Sequence, residues 1–383
     1  MAKASTVRDR FDHLTVLLFA CMMLSMSVGC IHPLAWGALR GTLFLAAVLA
    51  GVHLLRYARP SWRPVRTSVF DRVFLLAAVL LLSASVAGLN PILSLLVSAV
   101  VLLGVAVLQA LREAFNRGDV GWRSAVGFSA ILAGGCVLAV GMRFAGHVAG
   151  FSGSYLPWYS LAPLDGVPGR AFDRVFSFFL VASLPLTVAG AVHARGWTRR
   201  CAALGVLVVV TGMALAFSRA AWIAVGVEAL AAMLVYRRSR RWALYFLAVG
   251  CISAMTVPAV RDRLLSIFDP AKGSNGDRLA LLAVGMDLMA RSPMLGYGPG
   301  AFGTACHLSG VSAIGATHDV PHNLLLRIGV ECGLPALCFF MTVVYMLVSR
   351  LAERAREGGA RSAFCAAGVA SIAGAIVFGL FHM

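Results

Sequence analysis

Long apolar runs recur about eleven times along this chain, at roughly 14–31, 34–55, 70–88, 91–111, 125–142, 175–193, 201–217, 220–236, 242–260, 323–348 and 362–381. A run of ~18 or more apolar residues is long enough to cross the hydrocarbon core of a bilayer as a helix. Strands of a membrane barrel would instead show ~10-residue segments of alternating polarity. The pattern therefore predicts an all-α polytopic membrane protein, one integral membrane domain over 1–383. Charge content agrees: 13% of the residues are charged, about half of the ~25% typical of soluble chains. No small-residue cleavage site follows the first run, which is expected to remain as a helix.

A net charge of +17 would suit a nucleic-acid partner, but its distribution argues otherwise. Most of the Lys and Arg sit in short loops: Lys3, Arg8 and Arg10; Arg56 to Arg66; Arg112, Arg117 and Arg123; Arg195, Arg199 and Arg200; Arg237 to Arg241; Arg350, Arg354, Arg356 and Arg361. If the helices alternate in direction, all of these loops fall on one side. That is the positive-inside pattern, and it sets the N-terminus in the cytoplasm with no need of nucleic acid.

Two longer loops then face the other side, 143–174 and 261–322. The second is too long for a plain connection, and loops of that kind are usually functional. Within it, Leu279, Leu282, Met286 and Met289 recur at helical spacing, which predicts a short helix near 277–292 lying at the outer membrane surface. Pro293 and the run Gly296-Tyr297-Gly298-Pro299-Gly300 should end it in a rigid turn. Eleven spans leave the chain end outside, so a twelfth helix is expected beyond Met383.

Once the inner arginines are set aside, an outer set remains: Arg143, Arg170, Arg174, Arg219, Arg261, Arg263, Lys272, Arg278 and Arg291. Orientation does not account for these, and clustered arginines suit an anionic ligand. Arg219 is the sharpest case. Residues 201–236 are almost continuously apolar, and as a single helix they would span ~54 Å, beyond any bilayer. The break must fall at Ser218-Arg219, with Ser218 as N-cap and Arg219 in the first turn, where free N–H groups favour an anion. Snorkelling of Arg219 to headgroups is the alternative. Asp277-Arg278 repeats the arrangement, with a solvated arginine as its plainer reading. In Thr317-His318-Asp319-Val320-Pro321-His322-Asn323, Asp319 or Asn323 could cap the next helix, with Pro321 near its start. His322 would then lie at the outer interface, where histidine is the usual general base at neutral pH. A capping or interface histidine is the bland alternative, and His318 is a weaker competitor for the same role.

Absences narrow the chemistry. No outer Asp-x-Asp or paired carboxylates occur, so a divalent metal holding a diphosphate is not expected. Walker A and H-E-x-x-H motifs are missing as well. The nine cysteines show no metal spacing, and only Cys306 lies in an outer loop. Arg40, Glu228, Arg327 and Glu331 lie deeper, and intramembrane charges are functional candidates by default. Arg327 and Glu331, at i and i+4, could simply pair.

Ser218-Arg219-Ala220-Ala221-Trp222, Asp277-Arg278, Gly296-Tyr297-Gly298-Pro299-Gly300-Ala301-Phe302, His322-Asn323-x-x-Leu326 and Glu331-Cys332-Gly333-Leu334 together resemble the O-antigen ligase/polymerase superfamily. The likeness in order and spacing covers roughly 170–380; upstream only the hydropathy profile agrees. It implies a GT-C-like, metal-independent and cofactor-free glycosyltransferase of twelve helices in the bacterial inner membrane, its active site facing the periplasm. The implied donor is an undecaprenyl-diphosphate-linked glycan. In ligases the acceptor is lipid A–core oligosaccharide, and in polymerases another lipid-linked glycan. On this resemblance Arg219 and Arg278 would bind the diphosphate and His322 would act as base. Asn323 would orient the base or cap its helix, with Arg170, Arg174, Ser218 and His318 as further substrate contacts. A transporter would instead place its charges at the midplane on broken helices with repeated topology. Here the basic residues gather at outer helix ends.

Overall fold

The computed structural model describes residues 44–48, 51, 69–116, 169–215, 218–236, 240–256, 258–265, 274–309, 321–358 and 360–382. Among the described residues the chain is helical throughout, without strands. The helices are α1 Val69–Val86, α2 Pro91–Asn116, α3 Gly169–His193, α4 Gly196–Leu215, α5 Arg219–Val235, α6 Arg240–Thr256, α7 Pro258–Leu265, α8 Ser274–Arg291, α9 Phe302–Leu308, α10 Leu324–Arg356 and α11 Ala360–His382. Among the described residues two segments, Leu324–Arg356 and Ser362–Phe381, are long and apolar enough to cross a membrane. Shorter apolar stretches occur in α1, α2, α3 and α6. Leu75, Ile92, Leu96 and Leu234 are largely exposed on their helices, as expected where the solvent is lipid rather than water. The expected spans near 14–31 and 125–142, and most of 34–55, lie outside the described residues.

The chain divides into two compact units, the second formed by Val65–Val105, Ile223–Glu357 and Ile372–Met383 and the first by the remainder. In the first unit, α3 and α4 form a hairpin whose turn passes through Gly196 at φ +62°. In the second, α2 follows α1 after a short bend. Asn90 caps α2 by accepting from Leu93 N at 3.1 Å, and Pro91 occupies the first helical position, where its missing N–H costs nothing. Ser85 Oγ of α1 bonds Ser98 Oγ of α2 at 2.6 Å. Also in the second unit, α10 packs on α1, α8 and α9.

Within the 242–260 run the described helices are α6, to Thr256, and α7, from Pro258, with residue 257 outside the described set. Two expectations change. The 323–348 run is broken at Gly333, whose φ of 84° and ψ of 169° are non-helical. The loop helix starts at Ser274, not Asp277, since Ser274 and Asn275 are earlier residues of the type that begins helices. Asp277 is therefore not a cap, and Arg278 lies beyond the first turn.

Candidate functional site

The break in α10 exposes two carbonyls. Pro335 has no N–H to offer Glu331 O, and Leu334 N is turned away to Pro293 O at 2.7 Å. A helix end left in this way needs outside partners. They come from the glycine-rich turn: Tyr297 N donates to Val330 O and Gly298 N to Glu331 O, each at 2.9 Å. Tyr297 O in turn accepts from Leu89 N at 2.8 Å, so the turn is held between the α1–α2 bend and the α10 break. A Cβ on Gly296 would lie 2.5 Å from Val330 O, and one on Gly298 2.5 Å from Ser94 Oγ. The Gly296–Gly300 run is thus a turn, as expected, and a backbone clasp whose partner is the Glu331-Cys332-Gly333 run. Sequence reading placed both motifs but not their pairing. The signal was present in Gly333 and Pro335, two helix breakers inside one apolar run.

Above this clasp, α10 begins with a specific cap. Asn323 is extended, at φ −145° and ψ 115°, and its side chain accepts from Leu326 N at 3.1 Å. This settles the choice between Asp319 and Asn323 in favour of Asn323; Asp319 and His318 lie outside the described residues. Pro321, just before, is buried. His322, between them, has φ +51°, the sole positive φ of a non-glycine among the described residues. A β-carbon is disfavoured there, and such residues persist only where the surroundings enforce them. Its Nδ1 is buried.

α8 carries Arg278 on a stripe with Leu281, Gly285 and Leu288, at i, i+3, i+7 and i+10, one side of a helix. Leu281 and Leu288 are buried with Phe302, Ala305, Leu326 and Val330 in one core, and Arg278 Nε is buried as well. Of the apolar residues noticed in the sequence, Leu279, Leu282 and Met286 are on the exposed side, while Met289 packs against the core. Arg291 pairs with Asp287 at 2.6 Å and Arg261 with Asp262 at 3.2 Å, all well exposed, so these two outer arginines are partly neutralised.

In the first unit, α4 ends at Leu215 and α5 starts at Arg219, at the break the sequence required. Ser218 Oγ accepts from Ala221 N at 3.4 Å, long for such a bond, while Trp222 Nε1 donates to Met213 O at 3.2 Å and ties the two helices together. Arg219 is the first helical residue and is half-buried. Arg170 and Arg174 lie in the first turns of α3, with side chains outside the described set.

Deeper in the second unit, Arg327 Nε donates to Glu331 Oε1 at 3.2 Å, the expected pair. Glu228 is 3% exposed, and neither of its oxygens has a hydrogen-bond partner among the described residues. It lies against Gly374 of α11, where a Cβ would collide with the carboxylate. No group of three metal-ligating side chains occurs among the described residues. Cys306 on α9 is a free thiol, and burial raises its pKa above the usual thiol value.

The family model for O-antigen ligase matches residues 204–341, the segment that carries Arg219, Arg278, the glycine-rich turn and His322. No curated protein matches the chain.

Proposed function

We propose, from the match of residues 204–341 to the O-antigen ligase family model, that this chain belongs to the O-antigen ligase/polymerase superfamily and transfers a glycan from undecaprenyl diphosphate to lipid A–core oligosaccharide. The reaction is a direct displacement. An acceptor hydroxyl oxygen attacks the anomeric carbon as the bond from that carbon to the diphosphate oxygen breaks, inverting the centre. The proton goes to His322 and the electron pair leaves with undecaprenyl diphosphate. Arg219 and Arg278 bind the diphosphate and stabilise the charge that grows on it; such preorganised cations are often the largest single contribution to catalysis. Arg170, Arg174 and His318 contact the glycan or its carrier, and Ser218 and Asn323 hold the helix starts. In this reading the protein is polytopic, in the bacterial inner membrane, with eleven spans in 1–383 and the site on the periplasmic face.

The observation that carries the assignment of the base is the backbone of His322. His322 is held at φ +51° directly ahead of a capped helix, a region that a non-glycine residue seldom adopts. Strain of this kind gathers at functional sites.

The test uses purified protein in proteoliposomes with lipid-linked donor and lipid A–core acceptor. His322→Ala should lower transfer ~10²–10⁴-fold with donor binding retained. Arg219→Ala and Arg278→Ala should each weaken donor binding. Full transfer by folded His322→Ala refutes the base, and unchanged donor affinity in both arginine variants refutes the diphosphate assignment. A lipopolysaccharide gel of a deletion strain separates the two acceptors: complete loss of O-antigen identifies a ligase, and core bearing a single unit identifies a polymerase.

A further inference from the structure

The helix that carries Arg278 and the helix that follows His322 are locked by a glycine notch. On α8, Gly285 lies two turns beyond Arg278 on the same side. A Cβ there would lie 2.5 Å from Leu326 Cδ2, 2.8 Å from Cγ and 3.0 Å from Cδ1. The whole Leu326 side chain, not merely its tip, therefore seats against the bare backbone of α8. Leu326 is buried in the shared core, so it has no empty space to retreat into. Its own N–H is the group that donates to Asn323 Oδ1 in the α10 cap, and Asn323 directly follows the left-handed His322. A displacement of Leu326 is thereby passed through the cap to His322.

The reverse contact is softer. Gly329 of α10 faces Met289 of α8, with an added Cβ 2.5 Å from Met289 Sδ. A thioether is flexible and can swing aside, so this contact tolerates a methyl group that the Leu326 contact does not.

We infer that Gly285 is a positioning residue for the transfer reaction, setting through Leu326 and the Asn323 cap where His322 stands relative to Arg278. This rests on the proposed roles of His322 and Arg278. Displacement of a reacting group by ~1 Å can cost ~10²-fold in rate, whereas donor affinity is shared among several proposed arginines, of which only Arg278 lies on α8.

The experiment compares Gly285→Ala, Gly329→Ala, the double variant Gly285→Ala/Leu326→Val and Leu326→Ala in proteoliposomes, with rates normalised to bound lipid-linked donor so that only folded enzyme is counted. Gly285→Ala should lower kcat on the order of tenfold or more with donor KM within about twofold of the parent. Trimming Leu326 to Val in the double variant should restore most of that loss, and Gly329→Ala should leave kcat within about twofold. Where Gly285→Ala does not fold, Leu326→Ala decides: it empties the notch and frees the cap without overpacking, and should show the same fall in kcat at steady donor KM. Parental kcat in folded Gly285→Ala, or in Leu326→Ala where only that folds, overturns the inference while an inactive His322→Ala leaves the function intact. Full activity of His322→Ala removes the function, and the inference with it.

Discussion

His322 has a left-handed backbone, φ +51°, and substitutions there can separate a proposed base from a structural residue. Asn is the non-glycine residue that best tolerates the left-handed region, while a β-branched side chain is a genuine outlier there. His322→Asn should thus keep the parental thermal midpoint and lose transfer, whereas His322→Val should lose transfer and also ~1–3 kcal/mol of stability. A Val variant as stable as the Asn variant would mean that the φ of +51° is not enforced. Asn323→Ala should cost ~1 kcal/mol by removing the cap on Leu326 N. Cys306 supplies a pH test outside the spans. Its pKa is raised by burial, and the thiolate is the reactive form. Alkylation of Cys306 at pH 8 should accordingly be slower than that of an unperturbed thiol and should keep rising at higher pH; peptide mapping by mass spectrometry reads both, and a rate already level at pH 8 contradicts the raised value. Residue type made His322 a candidate, since few groups can take a proton near neutrality. Its backbone was not legible, because φ there answers to the Pro321 and Asn323 flanks and to the core beneath Leu326, which lie on different elements.

Helix positions follow from local sequence, but helix breaks are settled by distant partners. Runs expected at 70–88, 220–236 and 362–381 appear as α1, α5 and α11 with ends shifted by a residue or two, because burial in lipid demands a continuous apolar stretch. The break in α10 needed the Pro293–Gly300 segment as well, since only that segment's N–H groups make the freed carbonyls tolerable. Likewise the inward stripe of α8 is Leu281, Gly285 and Leu288, less conspicuous in sequence than its exposed apolar side. Gly333 offers a clean test of the clasp. Its φ is +84° and a Cβ would strike Met294 O; Gly358 has a similar φ of +87° but open space around it. Gly358→Ala should therefore cost only backbone strain, ~1 kcal/mol. Gly333→Ala adds a collision with main chain and should lower the thermal midpoint in detergent clearly further. Equal losses would show that the turn yields easily and that the clasp does not fix α10.

At the scale of the molecule, charge placement and helix direction make a joint claim. α10 runs from the Asn323 cap to a last turn holding Arg354 and Arg356, where cations also complement the negative helix end. Arg361 follows at the start of α11. Basic residues mark the cytoplasmic ends of spans, so α10 should begin in the periplasm and end in the cytoplasm. The same logic reads Arg195, Arg199 and Arg200, around the α3–α4 turn, as cytoplasmic. The arginines proposed to hold the diphosphate were legible only as what remained after this subtraction; sequence order grouped Arg219 with Arg278 and His322, while local structure shows a helix start for Arg219 and a buried helix stripe for Arg278. Orientation is the premise on which a periplasmic reaction depends, and it can be measured without activity. With the native cysteines replaced by alanine, a cysteine at exposed Thr304 of α9 and one at exposed Glu357 would be probed with a membrane-impermeant maleimide in cells whose outer membrane alone is permeabilised. Thr304→Cys should label at once, and Glu357→Cys only after the inner membrane is opened. The opposite order would put His322 on the cytoplasmic face, where a lipid A–core acceptor displayed to the periplasm cannot reach it, and the proposed reaction would fail on topology before any kinetics were done.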